Sequence, residues 1–200
     1  MKLRFEPPQD GQVHTYCISC QAESVMTGVS ITNRKVYCCL NCRHQSDRAL
    51  VIDPEVAWWV DEEGNYCHHT AGMFLGDGQG RFLFFDRAKF PYGLTLPAGH
   101  VAPAEDPLKA ALRETHEETT VAAQFVRSLG TIDIYGDECP RGANMHRWSM
   151  VVGELPSGAL VQINSVEGSN PVWLTLEEAL HYPLTNAVRY IVMHFGHLLA

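Results

Sequence analysis

Two groups of side chains in this chain have types and spacings that could do chemistry. The first is the run Arg113-Glu114-Thr115-His116-Glu117-Glu118. On a helix, offsets of three and four residues bring side chains together, so Glu114, Glu117 and Glu118 share one side. Leu108, Leu112, Thr115 and Thr119 share another, and Ala110 and Ala111 add almost no bulk beside the acids. Like charges at this spacing cost an isolated helix a few tenths of a kcal/mol per pair, roughly. These acids also lie toward the C-terminal end of the helix, where the helix dipole disfavours negative charge. A solvated acidic face is the plain reading of such a pattern. A Gly- and Pro-containing loop directly upstream, Leu96-Pro97-Ala98-Gly99-His100, favours another. Bound Mg²⁺ or Mn²⁺ would resolve the repulsion, because hard cations take oxygen ligands.

The second group is cysteine. Cys17-x2-Cys20 and Cys39-x2-Cys42 are two knuckles separated by eighteen residues. Each knuckle lets two sulfurs meet one tetrahedral ion while the intervening segment makes a hairpin, so the pattern reads as a four-thiolate zinc ribbon, with iron as the competing ion. A closed four-sulfur site leaves no position for substrate, and this zinc is expected to be structural. A segment of this size has too small a core and would gain folding energy from the metal. Cys38 reads as a spectator, and His14 and His44 as surface residues near the ribbon. Cys67 with His68 and His69 could form a further site, but a strand carrying one buried thiol is the plainer reading. Cys139 reads as an incidental thiol.

The carboxylate run sits in a larger pattern. Gly99, five residues, Glu105, seven residues, and then Arg113 through Val121 resembles the Nudix box, whose fixed residues recur at these gaps over 23 positions. The resemblance covers roughly residues 65–200. It implies a Nudix-type α/β/α sandwich and hydrolysis of a pyrophosphate bond. Glu114, Glu117 and Glu118 would then hold Mg²⁺ or Mn²⁺, with Gly99 giving a backbone carbonyl. Arg113 would orient the glutamates through a salt bridge, and Glu105 would anchor the loop–helix junction. The metals would bridge phosphate oxygens and activate water, and a carboxylate would act as general base. Asp137, Glu138 and Glu167 are the later candidates for that base. Glu167 is preferred, because it precedes a strand where many family members carry one. Two positions depart from the box: Thr115 replaces an aliphatic or small apolar residue, and Thr120 replaces a glycine that would leave the helix with positive φ.

The elements that must position these residues follow from periodicity and punctuation. His69–Leu75 and Arg81–Phe85 read as strands of a hairpin around Gly76-Asp77-Gly78-Gln79-Gly80. Residues 90–104 read as loop with short extended pieces. Asp106-Pro107 opens a helix to about Thr119, with Asp as N-cap and Pro in the first helical position. Further strands are expected at Gln124–Tyr135, His146–Leu155 and Val172–Leu174, a short helix from Leu176 to Leu180, and a final helix over about Thr185–Leu199 packed through Val188, Ile191, Val192, Phe195, Leu198 and Leu199. This order gives an α+β fold with a mixed sheet. Three regions are expected: a flexible lead over 1–11, a zinc ribbon and linker over 12–64, and the hydrolase domain over 65–200.

Composition sets the outer bounds. The formal charge is −8 over 200 residues. That disfavours broad nucleic-acid binding, which needs a basic surface, and leaves a small nucleotide-derived substrate as the expected partner. No apolar run approaches the roughly 20 residues of a membrane helix, and no secretory signal is visible, so a cytoplasmic location without membrane attachment is the default. The ribbon is expected to dock on the hydrolase domain or on a second subunit in a homodimer, with Trp58 and Trp59 as contact residues. Arg34, Lys35, Arg43 and Arg48 give it a modest positive balance.

A zinc ribbon before such a domain resembles the architecture of NADH pyrophosphatases. Their Ser-Gln-Pro-Trp-Pro-Phe-Pro segment is absent here, and Gly136 stands where many ADP-ribose hydrolases carry proline. The sequence therefore supports the reaction class and leaves ADP-ribose, NADH, nucleotide sugar and nucleoside triphosphate open. Phe90, Tyr92, Tyr135, Arg141, His146, Arg147 and Trp148 are residue types that contact bases or phosphates, though each also fits an ordinary strand or loop. Two alternatives stand beside hydrolysis: a catalytically silent ligand sensor or interaction module, and an RNA 5′-end pyrophosphohydrolase.

Overall fold

A computed structural model describes residues 1–30 and 34–199. The N-terminal part contains β1 (His14–Tyr16), β2 (Val25–Val29), β3 (Lys35–Cys39), β4 (Gln45–Ser46) and β5 (Leu50–Ile52). Strands β2, β3 and β4 form an antiparallel sheet, and β1 pairs with β5. The hairpin expected between the two cysteine knuckles is therefore β2–β3.

The larger sheet is built from β6 (Trp58–Val60), β7 (Tyr66–Gly76), β8 (Phe82–Arg87), β9 (Leu94–Thr95), β10 (Ala98–His100), β11 (Gln124–Tyr135), β12 (Met145–Glu154) and β13 (Gly168–Leu174). Its main order is β11-β12-β7-β8-β13, with β6 and β10 paired to β7 and β9 to β8. The β12–β7 pair is parallel and the others are antiparallel, so the sheet is mixed. The β7–β8 hairpin parts immediately after the pair Gly76–Phe82. Beyond that point β7 takes β10 as its partner and β8 takes β13. This splitting brings the Ala98-Gly99-His100 segment onto the sheet.

Alternation along β7 feeds two cores. Ala71, Met73 and Leu75 face Ala110, Ala111 and Val121 in and beside α1 (Pro107–Thr119). Phe74 faces the other way, toward Val188, Ile191, Val192 and Phe195 of α3 (Asn186–Phe195). The short helix α2 (Leu176–Ala179) lies on the α3 side and is closed by a capping box between Thr175 and Glu178. The result is a mixed sheet between helical layers, the α+β Nudix-type sandwich that the sequence implied. The final helix gives way after Phe195 to a 3₁₀ turn over Gly196–Leu198, which leaves Leu198 exposed.

The regions expected from composition are less separate than the sequence suggested. The chain start is anchored rather than loose: the Leu3 N–H donates to the Gly64 carbonyl and the Tyr66 N–H to the Met1 carbonyl. Met1, Leu3 and Phe5 pack on a core shared by Tyr16, Leu50, Ile52, Tyr66, Cys139 and Ala143. That core joins the N-terminal strands to the large sheet, and Trp58 packs on it. Strand β6, placed before residue 65 in the sequence reading, is part of the large sheet.

Candidate active site

Helix α1 carries the carboxylate run, and its start is fixed as the sequence indicated. The Asp106 side chain accepts from the Leu108 and Lys109 N–H groups, and Pro107 occupies the first turn. The faces differ from expectation in one respect. The buried residues are Ala110, Ala111, Thr115, Glu118 and Thr119, whereas Leu108 and Leu112 are half-buried. Residues 111, 115 and 118 follow four-and-three spacing, so Glu118 lies on the sheet side of the helix.

The three glutamates occupy three environments. Glu118 is 4% exposed, and its Oε2 accepts from the Ala98 N–H at 2.9 Å. Burial pushes its carboxyl up to about 8, helped by the Glu114 and Glu167 charges and opposed by Arg87. Glu114 is partly buried and is also raised by burial. Its carboxylate lies against Gly99, where any Cβ would collide with it. Glu117 is exposed. Arg113 ties the group together: its Nε and Nη2 donate to Glu105 at 2.9 Å each, and its Nη1 to Glu114 at 2.6 Å and Glu117 at 3.3 Å. Its Nη2 also donates to the His100 carbonyl at 3.1 Å. The guanidinium hydrogen bonds hold Glu105 below the usual carboxylate range, and Glu105 further accepts from the Ala102 N–H at 2.9 Å.

Glu167 reaches the same place from a loop. The Asn164 N–H donates to the Glu118 carbonyl at 2.8 Å and the Gln162 N–H to the Thr119 carbonyl at 3.0 Å, which fastens the loop to the end of α1. Glu167 pairs with Lys89 Nζ at 2.5 Å. Glu114, Glu117, Glu118, Glu167 and Gly99 all line one cleft of about 1530 Å³. Arg87 and Lys89 line it, as do Arg34, Lys35 and Tyr37 of the N-terminal part. The other two base candidates lie elsewhere. Asp137 is buried under Trp148, whose Nε1 donates to it at 2.7 Å, and Glu138 pairs with Arg48 at 2.8 Å.

Among the aromatic and basic residues singled out by type, Phe90, Tyr92 and Arg141 line the cleft. Arg34 stacks over Tyr92 at 4.0 Å. His146 and Trp148 are buried in the sheet, and Arg147 pairs with Asp133. Sequence reasoning missed Arg87, Lys89 and Asn164, which sit ten or more residues from the box. Arg87 is placed by its pairing with Gly168 of β13, and Asn164 by its N–H bond to the Glu118 carbonyl.

The cysteine knuckles converge as their spacing predicted. Cys17, Cys20, Cys39 and Cys42 place all four sulfurs within 4.8 Å of one another. The Cys17–Cys42 and Cys20–Cys39 separations are 3.6 and 3.7 Å. A tetrahedral zinc with bonds near 2.3 Å requires sulfur–sulfur edges of about 3.8 Å. His14 is turned to Glu23 and Asp10 and takes no part.

The NUDIX domain model matches residues 68–195. Two curated relatives share shorter stretches. An isopentenyl-diphosphate delta-isomerase of Streptomyces avermitilis is 39% identical over 70 residues, covering 32% of this chain and 36% of the relative. A probable DHNTP pyrophosphohydrolase of Lactococcus lactis is 42% identical over 52 residues, covering 26% and 31%. The matched stretches thus span about a third of the length of these relatives. Among solved structures, a C. elegans Ap4A hydrolase superposes with a TM-score of 0.53 at 24% identity, over 66% of this chain and 96% of that one. A Nudix hydrolase from M. smegmatis gives 0.55 at 19% identity, over 71% and 93%. At these identities the structural likeness establishes the fold. With the family model covering most of the chain and the carboxylates gathered at one cleft, the protein belongs to the Nudix family.

Proposed function

We propose that this protein is a divalent-metal-dependent hydrolase that cleaves the pyrophosphate bond of a small nucleoside-diphosphate-linked substrate. The observation that carries the reading is the meeting of Glu114, Glu117, Glu118 and Glu167 at one cleft whose wall also holds Arg87 and Lys89. The donor set fits Mg²⁺ or Mn²⁺: all ligands are oxygens, and the buried Glu118 carboxylate has a single backbone donor in Ala98. Glu114, Glu117, Glu118 and the Gly99 carbonyl would hold the ions. When bound they supply charge neutralisation at the phosphate oxygens and a more acidic water.

The chain's own residues divide the remaining work. Arg113, clamped on Glu105, orients Glu114 and Glu117. Arg87 and Lys89, on the cleft wall, would meet the phosphates of the bound substrate. Glu167 accepts the proton of the attacking water, whose oxygen bonds to phosphorus as the P–O–P link breaks. Lys89 pairs with that carboxylate at 2.5 Å and so holds it in place at the cleft. Gly99 leaves the space that Glu114 occupies.

Two further assignments belong to this reading. Residues 12–64 make a small ribbon stapled by Zn²⁺ on Cys17, Cys20, Cys39 and Cys42 and a linker whose strand β6 joins the sheet of a hydrolase domain over 65–200, and the protein works in the cytoplasm. Among the described residues no helix is long and apolar enough to cross a membrane. The N-terminal module contributes Arg34, Lys35 and Tyr37 to the cleft, so it serves the hydrolase as a wall of the substrate site.

The test is a panel of nucleoside triphosphates, NADH, ADP-ribose, nucleotide sugars, diadenosine polyphosphates and capped RNA with Mg²⁺ and Mn²⁺, run on the wild type and on the Glu117→Gln/Glu118→Gln variant. Isopentenyl diphosphate belongs in the panel because of the Streptomyces relative's name. Metal-dependent turnover that the variant loses supports the proposal. Turnover undiminished in the variant would remove the assigned roles, and no turnover with tight binding would favour a ligand sensor.

A further inference from the structure

A second cluster of metal-ligating side chains lies behind the catalytic loop. His68, His100, Cys139 and His146 place one ligand atom each within 4.8 Å of all the others. His68 Nδ1 is 3.1 Å from His100 Nε2 and 3.6 Å from Cys139 Sγ. The imidazole rings stand 4.8, 5.5 and 5.8 Å apart, centroid to centroid. Three of the four residues are buried, and His100 is partly exposed. The cluster is far from the cysteine knuckles in sequence and shares no residue with them or with the box carboxylates.

Each side chain arrives from a different element. Along β7 the alternation of a strand sends His68 to one face and its neighbours Cys67 and His69 to the other. His69 bonds Ser149 at 3.0 Å, and the Cys67 thiol donates to the Asn65 carbonyl at 3.3 Å. His146 stands opposite His68 in the parallel β7–β12 register. His100 ends β10, and Cys139 comes from the connection between β11 and β12. Cys139, which the sequence offers only as an incidental thiol, stands in this cluster, and the Cys67-His68-His69 run contributes His68 alone.

We propose that His68, His100, Cys139 and His146 bind a second, structural zinc ion. The ligand set is the nitrogen-and-sulfur kind that zinc takes in closed tetrahedral sites. With bonds near 2.0 Å to nitrogen and 2.3 Å to sulfur, ligand atoms around such a zinc are separated by roughly 3.3 to 3.5 Å. The measured 3.1 and 3.6 Å need little adjustment to reach that range. The orientation of His146 is also that of a ligand. Its Nδ1 donates to the Asp137 carboxylate at 3.1 Å and lies 3.0 Å from the Asp137 carbonyl, which leaves Nε2 to face the cluster. Asp137 is itself held by the Trp148 Nε1–H. A carboxylate behind a histidine fixes the tautomer and ring orientation of metal ligands. A core position filled by three imidazoles and a thiol is otherwise costly, since apolar side chains would fill it without any polar group to satisfy.

Such an ion would fasten three strands and one loop at a consequential point. His100 directly follows Gly99, and its carbonyl accepts from Arg113. The Cys139 carbonyl and its loop are gripped by Arg48 of the N-terminal part. The zinc would therefore hold the catalytic loop from behind and join it to the N-terminal module.

The experiment is metal analysis and zinc X-ray absorption on the full chain purified from zinc-supplemented culture. Two zinc ions per chain with on average about 2.5 sulfurs each are expected if both sites fill. One zinc with three nitrogens and one sulfur also supports the site and counts instead against the cysteine ribbon. One zinc with four sulfurs, or none, overturns the proposal. His146→Ala and Cys139→Ser should each lower the count by one ion and raise the sulfur average toward four. Should either variant fail to fold, cobalt loading of the Cys17→Ser/Cys20→Ser variant decides: with the cysteine ribbon's ion gone, a cobalt spectrum with one thiolate ligand must remain, and its absence in folded protein overturns the site.

Discussion

The Glu114 carboxylate occupies the space where a side chain at Gly99 would have to be. The glycine is therefore required by close approach, and its φ lies outside the left-handed region. The obstructing atoms are the far end of a flexible side chain, so Gly99→Ala should fold and simply push Glu114 out of place. We expect kcat/KM to fall at least about tenfold, in line with the loss of a positioned group, while Tm moves by only a few degrees, roughly. Unchanged kcat/KM in Gly99→Ala would show that the position of Glu114 is immaterial.

Glu118 gives the metal site a pH dependence. Its folded carboxyl titrates near 8 against an ordinary value of 4.5. Between those values the native state keeps a proton that the unfolded chain has released. Stability of the metal-free protein must then fall as pH rises through that window, by the linkage between proton uptake and folding. Mg²⁺ binding should expel the same proton, so affinity should climb from pH 6 to pH 8. Glu118→Gln removes both effects. Denaturant titrations in EDTA at several pH values check this, and a wild type-to-variant difference that stays constant with pH would refute it.

Much of this site was legible because its residues are close in sequence. Asp106, Pro107 and the box glutamates lie on one helix, where the spacing of three and four residues fixes which side chains meet. Helical periodicity does not reveal which carboxylate is buried. The burial of Glu118 depends on the distant β10 segment, which reaches the helix only because β7 leaves β8 for β10 after the first pair. The three histidines and Cys139 were illegible for a related reason. Their elements are joined by the parallel β7–β12 pairing and the β7–β10 pairing, neither of which leaves a local mark. The cysteine knuckles could be read because each supplies its two ligands within four residues.

Glu167 and Lys89 offer a test of the general base. Their ion pair is partly exposed, with 26% and 44% of the side chains accessible, so its worth in stability is small. Glu167→Gln should therefore leave Tm nearly unchanged. If Glu167 takes the proton from water, kcat should drop by about 10² to 10⁴ with little change in KM. A variant that keeps its kcat would return the role to the box glutamates.

Arg48 joins the N-terminal part to the segment that carries Cys139. Its guanidinium donates to the carbonyls of Cys139 and Ala143 at 3.0 and 3.1 Å and to the Asn144 side chain at 2.6 Å. Buried acceptors left without their donor each carry a desolvation cost. Arg48→Ala should destabilise the protein by about 2 kcal/mol, and Arg48→Lys should recover only part of that, since an ammonium cannot span three acceptors in a fixed fork. Urea unfolding measures both. Equal stability of the lysine variant and the wild type would mean that charge alone, through the Glu138 pair, supplies the contact.

Thr120 ends α1 in the left-handed region with φ 62° and ψ 7°. A β-branched residue there is strained by about 1 to 2 kcal/mol. The sequence already pointed to this position, because the box usually carries glycine there. The helix exit is kept nonetheless: the Thr120 N–H caps the His116 carbonyl at 2.8 Å. The Thr120 hydroxyl donates to the Thr119 carbonyl at 2.7 Å, which offsets part of the strain. Thr120→Gly relieves the Cβ clash but frees the unfolded chain by about 0.5 to 1 kcal/mol. Thr120→Asn relieves part of the clash without that entropic cost, since asparagine tolerates positive φ. We therefore expect Thr120→Asn to be the more stable of the two, both to exceed the wild type by a few degrees in Tm, and Thr120→Val to fall below it. If Thr120→Gly and Thr120→Asn both melt lower than the wild type, the hydroxyl bond to Thr119 outweighs the backbone strain.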